Sequence, residues 1–397
     1  MISVADAIAR ILVGVQPLPA ELVPLGYGCG RVLAEDLASR HTQPPAAVSA
    51  MDGYAVRAAD VAEVPTVLRI VAEIAAGTIW TGPLGPGEAA RIFTGAPVPG
   101  GADAIVIQED CERAGDRVTV RESATAGTYI RPAGLDFAEG DVLLRAGQWL
   151  TARDIGLAAA MNRPWLPVRR RPRVALLATG DEIVLPGEPL GPQQIVSSSG
   201  PGLAAFAAEV GGEPMSLGVA EDSAASLRAR AAGAVGADIL VTMGGASVGE
   251  HDLVQAALAE DGLEVDFWRI AMRPGKPLMF GRMGGTLVLG LPGNPVSAFV
   301  CALLFLRPLI DAMLGLPAGP PAREPARLGV DLDRNDRRED YLRARLAVEG
   351  YGLPTATPFR RQDSSMLARF VEADALVVRA PHAPPARAGD SVEIIRL

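Results

Sequence analysis

At 397 residues, with 49% apolar and 21% charged side chains, the chain is too long for one hydrophobic core, since such cores stop growing near ~250–300 residues. Two to four soluble, loop-rich domains are expected. Cys29, Cys111 and Cys301 are odd in number and far apart, so that neither a disulfide framework nor a thiolate metal cage is readable and a reducing cytoplasm fits best; the net charge of -9 argues against a general phosphate-backbone binder.

The opening Met1-Ile2-Ser3-Val4-Ala5-Asp6 lacks a basic start leading into an apolar stretch, so no secretory leader is expected. Val4, Ile8, Ile11, Leu12 and Val15 form the stripe of an amphipathic helix over Val4–Val15. A second helix is expected around Arg31–Leu37. From His41 to Asp136 the texture turns to short β-rich runs, Val67–Ile74, Ala104–Gln108 and Arg117–Val120, broken by Gly and Pro clusters. This predicts a small inserted β-rich domain over 41–136. Thr151–Met161 reads as helix, so that 1–40 and 137–166 form one helical and mixed N-terminal (dimerisation) domain in two segments. Arg163–Arg173, basic and Pro-broken, reads as a linker.

From 167 to 317 the pattern is regular. Strands are expected at Val174–Ala178, Met215–Val219, Ile239–Thr242, Phe267–Ala271 and Leu287–Leu289, with helices at Gly200–Val210, Ala224–Ala232, Leu253–Leu258 and Val296–Leu306. The alternation predicts an α/β domain around a doubly wound, mostly parallel sheet. The apolar run Val296–Leu306 stops at Arg307, short of the ~20 residues that span a bilayer, and is read as a buried core helix rather than a membrane segment. Residues 318–397 return to strand-like alternation and predict a C-terminal β domain, giving an α/β plus β multidomain protein.

In such a sheet, ligands bind beyond the carboxyl ends of the strands. Four glycine-marked loops fall there: Thr179-Gly180-Asp181-Glu182, Gly244-Gly245-Ala246-Ser247, Arg273-Pro274-Gly275-Lys276-Pro277 and Leu291-Pro292-Gly293-Asn294-Pro295. Gly244-Gly245 lets backbone approach a ligand, and a helix starting near Gly249 offers free N–H groups to a phosphate, although a Gly pair is also an ordinary turn. Arg273 and Lys276 in a Pro-stiffened loop suit an oxyanion, or simple solvation of a surface. Asn294 as N-cap with Pro295 at the first helical position is a structural reading of the last loop. Asp181, Glu182, Asp222 and Asp252 are the oxygen ligands that Mg²⁺ takes beside phosphates, though each alone reads as a cap or a solvated acid. His41, His251 and His382 have no zinc spacing, and neither a Walker A loop nor a Gly-x-Gly-x-x-Gly fingerprint occurs.

Six motifs in fixed order carry a stronger signal: Ser49-Ala50-Met51-Asp52-Gly53-Tyr54-Ala55-Val56-Arg57, Thr94-Gly95-Ala96-Pro97-Val98-Pro99, Thr179-Gly180-Asp181-Glu182, Gly244-Gly245-Ala246-Ser247-Val248-Gly249-Glu250-His251-Asp252, Arg273-Pro274-Gly275-Lys276-Pro277 and Leu291-Pro292-Gly293-Asn294-Pro295-Val296-Ser297. Over essentially its whole length the chain resembles the molybdopterin molybdenumtransferase (MoeA) family and the corresponding domain of gephyrin-type proteins. The resemblance implies a cytoplasmic homodimer with a composite cleft, in which Asp52, Thr94 and Asp136 of one subunit face Glu182, Asp222 and Asp252 of the other, with Lys276 completing the catalytic set. It implies phosphate or adenylate contacts from Gly244, Gly245, Ser247 and Gly249, pterin contact near Ser198, and a molybdate-holding set of Arg273, Gly275, Lys276 and Ser297 beside Pro292, Gly293, Asn294 and Pro295. Arg338 or Arg343 and Ser364 or Ser365 would come from the C-terminal domain.

The implied reaction converts adenylyl-molybdopterin and molybdate into molybdenum cofactor, AMP and water, with Mg²⁺ held by Asp181, Glu182, Asp222 and Asp252. Other molybdenum-cofactor assembly proteins and acceptor molybdoenzymes are the implied partners. The competing readings are a molybdopterin adenylyltransferase or phosphohydrolase, and a non-catalytic molybdopterin-binding scaffold. The chain departs from the family pattern at Ala246, at Leu135 where an acid is expected, and at Ser197-Ser198-Ser199 in place of an Asn-Ser-Asn-like stretch.

Overall fold

The computed structural model describes residues 1–78, 80–244, 253–348 and 352–397. The first helix, α1 (Val4–Leu12), is capped by Ser3, whose hydroxyl accepts from the Asp6 N–H at 3.0 Å, and it ends before Val15. Its stripe of Val4, Ala7, Ile8 and Ile11 is buried, but not in the N-terminal module. It packs against the later α/β unit, where Arg10 pairs with Asp266 and Ile2 bridges Ile270. Strand β1 (Ala20–Pro24) follows.

The expected helix at Arg31–Leu37 does not form. This stretch is extended because its backbone groups are satisfied across the chain: the Leu33 N–H donates to Gln148 and the Ala34 N–H to Pro167. Strand β2 (Leu37–Ala38) closes it.

The inserted unit runs through β3 (Val48–Ser49), β4 (Gly53–Val56), β5 (Thr66–Ile74), β6 (Glu88–Ile92), β7 (Ala104–Ile107), β8 (Cys111–Ala114), β9 (Arg117–Val120) and β10 (Ile130–Arg131). Six of these strands form one sheet in the order β7-β4-β6-β5-β9-β8, antiparallel except for β5 against β6. Side chains alternate between two cores, Tyr54, Val56 and Val106 on one side and Ala55, Ile92 and Ile105 on the other.

The chain then returns with β11 (Val142–Leu144) beside β2, α2 (Ala152–Ala160) behind a Thr151/Asp154 capping box, and β12 (Trp165–Arg169) beside β1. The expected linker at Arg163–Arg173 is therefore mostly strand, with Leu166 and Val168 fully buried against Leu33, Leu144 and Leu150.

The α/β unit comprises β13 (Arg173–Thr179), β14 (Ile183–Val184), β15 (Ile195–Val196), α3 (Ser199–Glu209), β16 (Glu213–Ala220), α4 (Ala224–Ala231), β17 (Ile239–Met243), α5 (Leu253–Ala259), β18 (Leu263–Trp268), β19 (Met272–Arg273), β20 (Met279–Met283), β21 (Thr286–Leu291), α6 (Pro295–Cys301) and α7 (Arg307–Leu314). The sheet order is β16-β13-β17-β21-β20-β18. The first four strands are parallel and β20 is antiparallel to both its neighbours, so the sheet is mixed. Leu176, Val241 and Leu289 face α1, α3 and α6; Leu177, Leu240 and Val288 face α4 and α5.

Arg307 does not end the apolar helix. A π-turn over Ala302–Leu306 joins α6 to α7, and the combined 20 residues have the length and composition of a membrane span. Their most apolar stretch is 78% buried inside the protein, which makes this the central core helix. The last unit holds β22 (Glu324–Leu328), β23 (Glu339–Ala347), β24 (Thr355–Pro358), α8 (Leu367–Val371), β25 (Ala375–Arg379) and β26 (Ser391–Arg396). Pairing of β23 with β25 closes the sheet into a barrel, and β19 from the α/β unit adds to its edge.

Candidate functional site

The carboxyl ends of β13, β16, β17 and β21 converge on a cavity of about 500 Å³, lined among others by Thr179, Gly180, Glu182, Ser197 to Ser199, Asp222, Gly244, Pro277 and Pro292 to Pro295. Parallel strands place all their loops on one side, so distant glycine motifs meet there. Gly244 has φ +93°, and a Cβ on it would lie 2.7 Å from the Thr179 carbonyl oxygen. A Cβ on Gly293 would lie 3.4 Å from the Gly244 Cα, so these two loops also abut. The predicted contacts Gly245, Ser247, Gly249 and Asp252, with Ala246 and His251, lie outside the described residues.

Glu182 and Asp222 line this cavity, and Asp181 adjoins them. The Asp222 N–H donates to Asp181 Oδ1 at 2.9 Å. Partial burial raises the Asp222 carboxyl above its ordinary range, and the negative charges of Asp181 and Glu182 add to that. Among the described residues, no three His, Cys, Asp or Glu side chains gather in a metal-holding group. The expected Mg²⁺ ligands Asp181, Glu182 and Asp222 therefore form an electrostatic cluster rather than a ready cage.

Between β18 and β20, the basic loop is closed by the Ile270 N–H donating to the Lys276 carbonyl at 3.0 Å. Lys276 is the sole lysine among the 37 Lys and Arg residues, and among the described residues its ammonium has no ion-pair partner. Arg273 points elsewhere. Its Nε donates to Asp340 Oδ1 at 2.9 Å, its Nη2 pairs with Asp340 Oδ2, and its Nη1 lies 3.7 Å from Asp336.

Pro295 opens α6 as expected, but Asn294, though at the N-cap position, makes no capping bond; its Nδ2 donates to Ser364 Oγ at 2.9 Å. Ser297 is buried in the first turn. Ser198 precedes α3 and lines the cavity without a capping bond. From the barrel, Ser365 donates to Asp363 and Arg338 pairs with Asp336. Arg343 is 1% exposed, bound through Nε to Gln362, and its Nη1 has no partner.

The remaining predicted residues lie in the inserted β unit. Thr94 donates to Asp52 Oδ1 from both its N–H and its hydroxyl, each at 2.8 Å. Asp136 lines a separate cavity of about 790 Å³ with Gln43, Gly95, Pro97, Arg131 and Leu135. Among the described residues the two cavities share no lining residue.

Comparison with known proteins places both regions in one family. Residues 2–162 match the MoeA N-terminal region (domain I and II), 175–312 a probable molybdopterin binding domain, and 325–397 the MoeA C-terminal region (domain IV). The molybdopterin molybdenumtransferase of Nostoc sp. is 40% identical over 331 residues, covering 81% of this chain and 76% of the relative. The chain belongs to the molybdopterin molybdenumtransferase (MoeA) family. Molybdopterin molybdenumtransferase 2 of Mycobacterium tuberculosis is 38% identical over 353 residues, 85% of this chain and 87% of its own. A molybdopterin biosynthesis MoeA protein of Pyrococcus horikoshii superposes with a TM-score of 0.86 at 33% identity over 100% of this chain and 99% of its own.

In this MoeA-family chain, sequence reasoning missed Asp340, Asp336 and Gln362, the partners that fix Arg273 and Arg343. Nothing local marks them, because each is far along the chain from what it holds. The singularity of Lys276, in contrast, was readable from composition.

Proposed function

We propose that this chain is a molybdopterin molybdenumtransferase that works in molybdenum cofactor biosynthesis, exchanging the AMP of adenylyl-molybdopterin for molybdenum from molybdate. The carrying observation is the cavity at the carboxyl edge of the parallel strands, where glycine loops and the acids Glu182 and Asp222 meet Pro277, the neighbour of the chain's single lysine. Gly244 and the Pro292 to Pro295 loop let phosphate-bearing substrate lie against backbone, and Ser198 contacts the pterin. Lys276, beside the cavity-lining Pro277, places the molybdate oxyanion. Asp181, Glu182 and Asp222 repel one another, a cost that a divalent cation relieves, so they fit Mg²⁺ taken up with the substrate's phosphates. That ion supplies charge neutralisation at the phosphoanhydride.

The dithiolene sulfurs belong to the substrate, so no protein thiolate is required. Water attacks the adenylyl phosphorus and breaks the phosphoanhydride, releasing AMP and leaving the pterin its own phosphate; two molybdate oxygens then leave as water, taking the two thiol protons and two from solvent as the sulfurs bind molybdenum, for a net release of one water. In this reading Asp52, Thr94 and Asp136 act from the second subunit of a homodimer, which fits the cavity beside Asp136 sharing no lining residue with the α/β cavity among the described residues. Their module, 41–136, is inserted in a domain formed by the flanking segments; 167–317 binds pterin and 318–397 is the terminal barrel. Free Cys29, Cys111 and Cys301 suit a reducing cytoplasm.

Purified protein with adenylyl-molybdopterin, Mg²⁺ and molybdate should release AMP in a molybdate-dependent manner and yield pterin-bound molybdenum. Asp52→Ala and Lys276→Ala should each abolish it. Pterin binding without AMP release would reject the transferase in favour of a scaffold.

A further inference from the structure

Asp340 is an acid 3% exposed, on a strand of the C-terminal barrel, yet its partner belongs to the α/β loop that carries Lys276. Strand β19 brings them together: Met272 and Arg273 pair in parallel with Glu339 and Asp340, so the guanidinium meets the carboxylate through two hydrogen bonds. A two-point pair of this kind fixes orientation as well as position. Asp336 approaches the same guanidinium, so Arg273 already faces two carboxylates. A molybdate oxyanion would have to compete with both.

The loop is held on its other side as well. Gly275 has φ +107°, and a Cβ there would lie 2.5 Å from the buried Cys301 Sγ. Only Pro274 and Gly275 separate the fixed Arg273 from Lys276. The first is stiff and the second is wedged, so where Arg273 is anchored decides where Lys276 stands.

We propose that Asp340 is a positioning residue: by engaging Arg273 it fixes the loop from the C-terminal barrel and leaves Lys276 as the cation that meets the oxyanion. The inference rests on the transferase reading for the identity of that oxyanion. The clamp itself can be tested without substrate, because Lys276 is the sole lysine. Acetic anhydride then labels only Lys276 and the N-terminal amine as lysine-type amines, and peptide mass spectrometry reads one against the other.

Asp340→Asn and Arg273→Gln should each change the relative acetylation rate of Lys276 at least ~3-fold in the same direction, and the double variant should go no further than either single one. In the transferase assay the same three proteins should raise the molybdate KM roughly tenfold with a smaller loss in kcat. Arg273→Lys keeps the charge without the fork and should fall between, which guards against a variant that fails to fold. Unchanged Lys276 acetylation in folded Asp340→Asn would overturn the clamp. So would a KM defect of Arg273→Gln that adds to that of Asp340→Asn, since Arg273 would then touch the anion itself. Should the wild-type protein release no AMP, the transferase reading fails while acetylation still decides the clamp.

Discussion

Asn294 and Ser364 join the α/β unit to the C-terminal barrel: the Asn294 amide donates to the Ser364 hydroxyl at 2.9 Å, and the Ser364 carbonyl accepts from the Val296 N–H at 3.0 Å. The side chain that a local reading assigns to capping α6 instead ties two modules together at the edge of the cavity. Asn294→Ala and Ser364→Ala should each lower stability by ~0.5–1.5 kcal/mol in urea unfolding, the net worth of one hydrogen bond. The double variant should lose little more than either single one, because both remove the same contact.

Gly244 should not tolerate a side chain. Its positive φ and the 2.7 Å approach of a Cβ to the Thr179 carbonyl both oppose one. Gly244→Ala should cost ~2 kcal/mol or more and weaken pterin binding in an equilibrium titration. Retention of wild-type affinity would show that the loop does not approach the ligand closely.

Hydrogen bonds from Thr94, first from its N–H and then from its hydroxyl, hold the Asp52 carboxyl below its ordinary value of 3.8. Because the folded value is depressed, the associated stability is present above the unfolded value and lost as pH falls through the folded one. Thr94→Val removes the hydroxyl but keeps the backbone donor. The Asp52 value, followed by carbon NMR, should rise towards 3.8 without reaching it.

Asp222 has the opposite sign. Its folded value is raised by burial and by Asp181 and Glu182, so the ionised form costs stability at neutral pH, and that cost disappears as pH falls through the raised value. In chelator at neutral pH, Asp222→Asn should raise Tm by about 1–3 °C. Mg²⁺ with a pyrophosphate mimic should stabilise the wild-type protein more than this variant, a difference that thermal melts can read.

Lys276→Arg preserves charge in a chain whose other cations are all arginine. The planar, wider guanidinium cannot replace a compact ammonium in a loop pinned at Arg273 and Gly275. Molybdate-dependent AMP release should fall at least ~10-fold with an unchanged Tm. Near-normal activity would mean that only the charge matters.

Much of the architecture was legible because it is local. Val174–Ala178, Ile239–Thr242 and Arg117–Val120 carry their strand character in their own residues, and the structure extends them by no more than one residue at either end. Glycine loops after such strands announce a ligand edge, and the order of six motifs pointed to the family. What failed depended on partners distant in sequence. Arg31–Leu37 has helix-compatible residues but gives its backbone bonds to Gln148 and Pro167, and α1 reads as part of an N-terminal module but buries its stripe on the α/β core.

By itself, then, the sequence determined which residues are strand, glycine hinge, acid and base, since conformational preference and side-chain chemistry travel with each residue. Tertiary structure decided which charges are paired. Arg273 and Lys276 look equivalent in one loop, and the barrel's Asp340, brought over by pairing of β19 with β23, takes up the first, while among the described residues the second has no ion-pair partner. Ion pairs act over a few ångströms while the chain separates these partners by 67 positions, so no local pattern can register the choice.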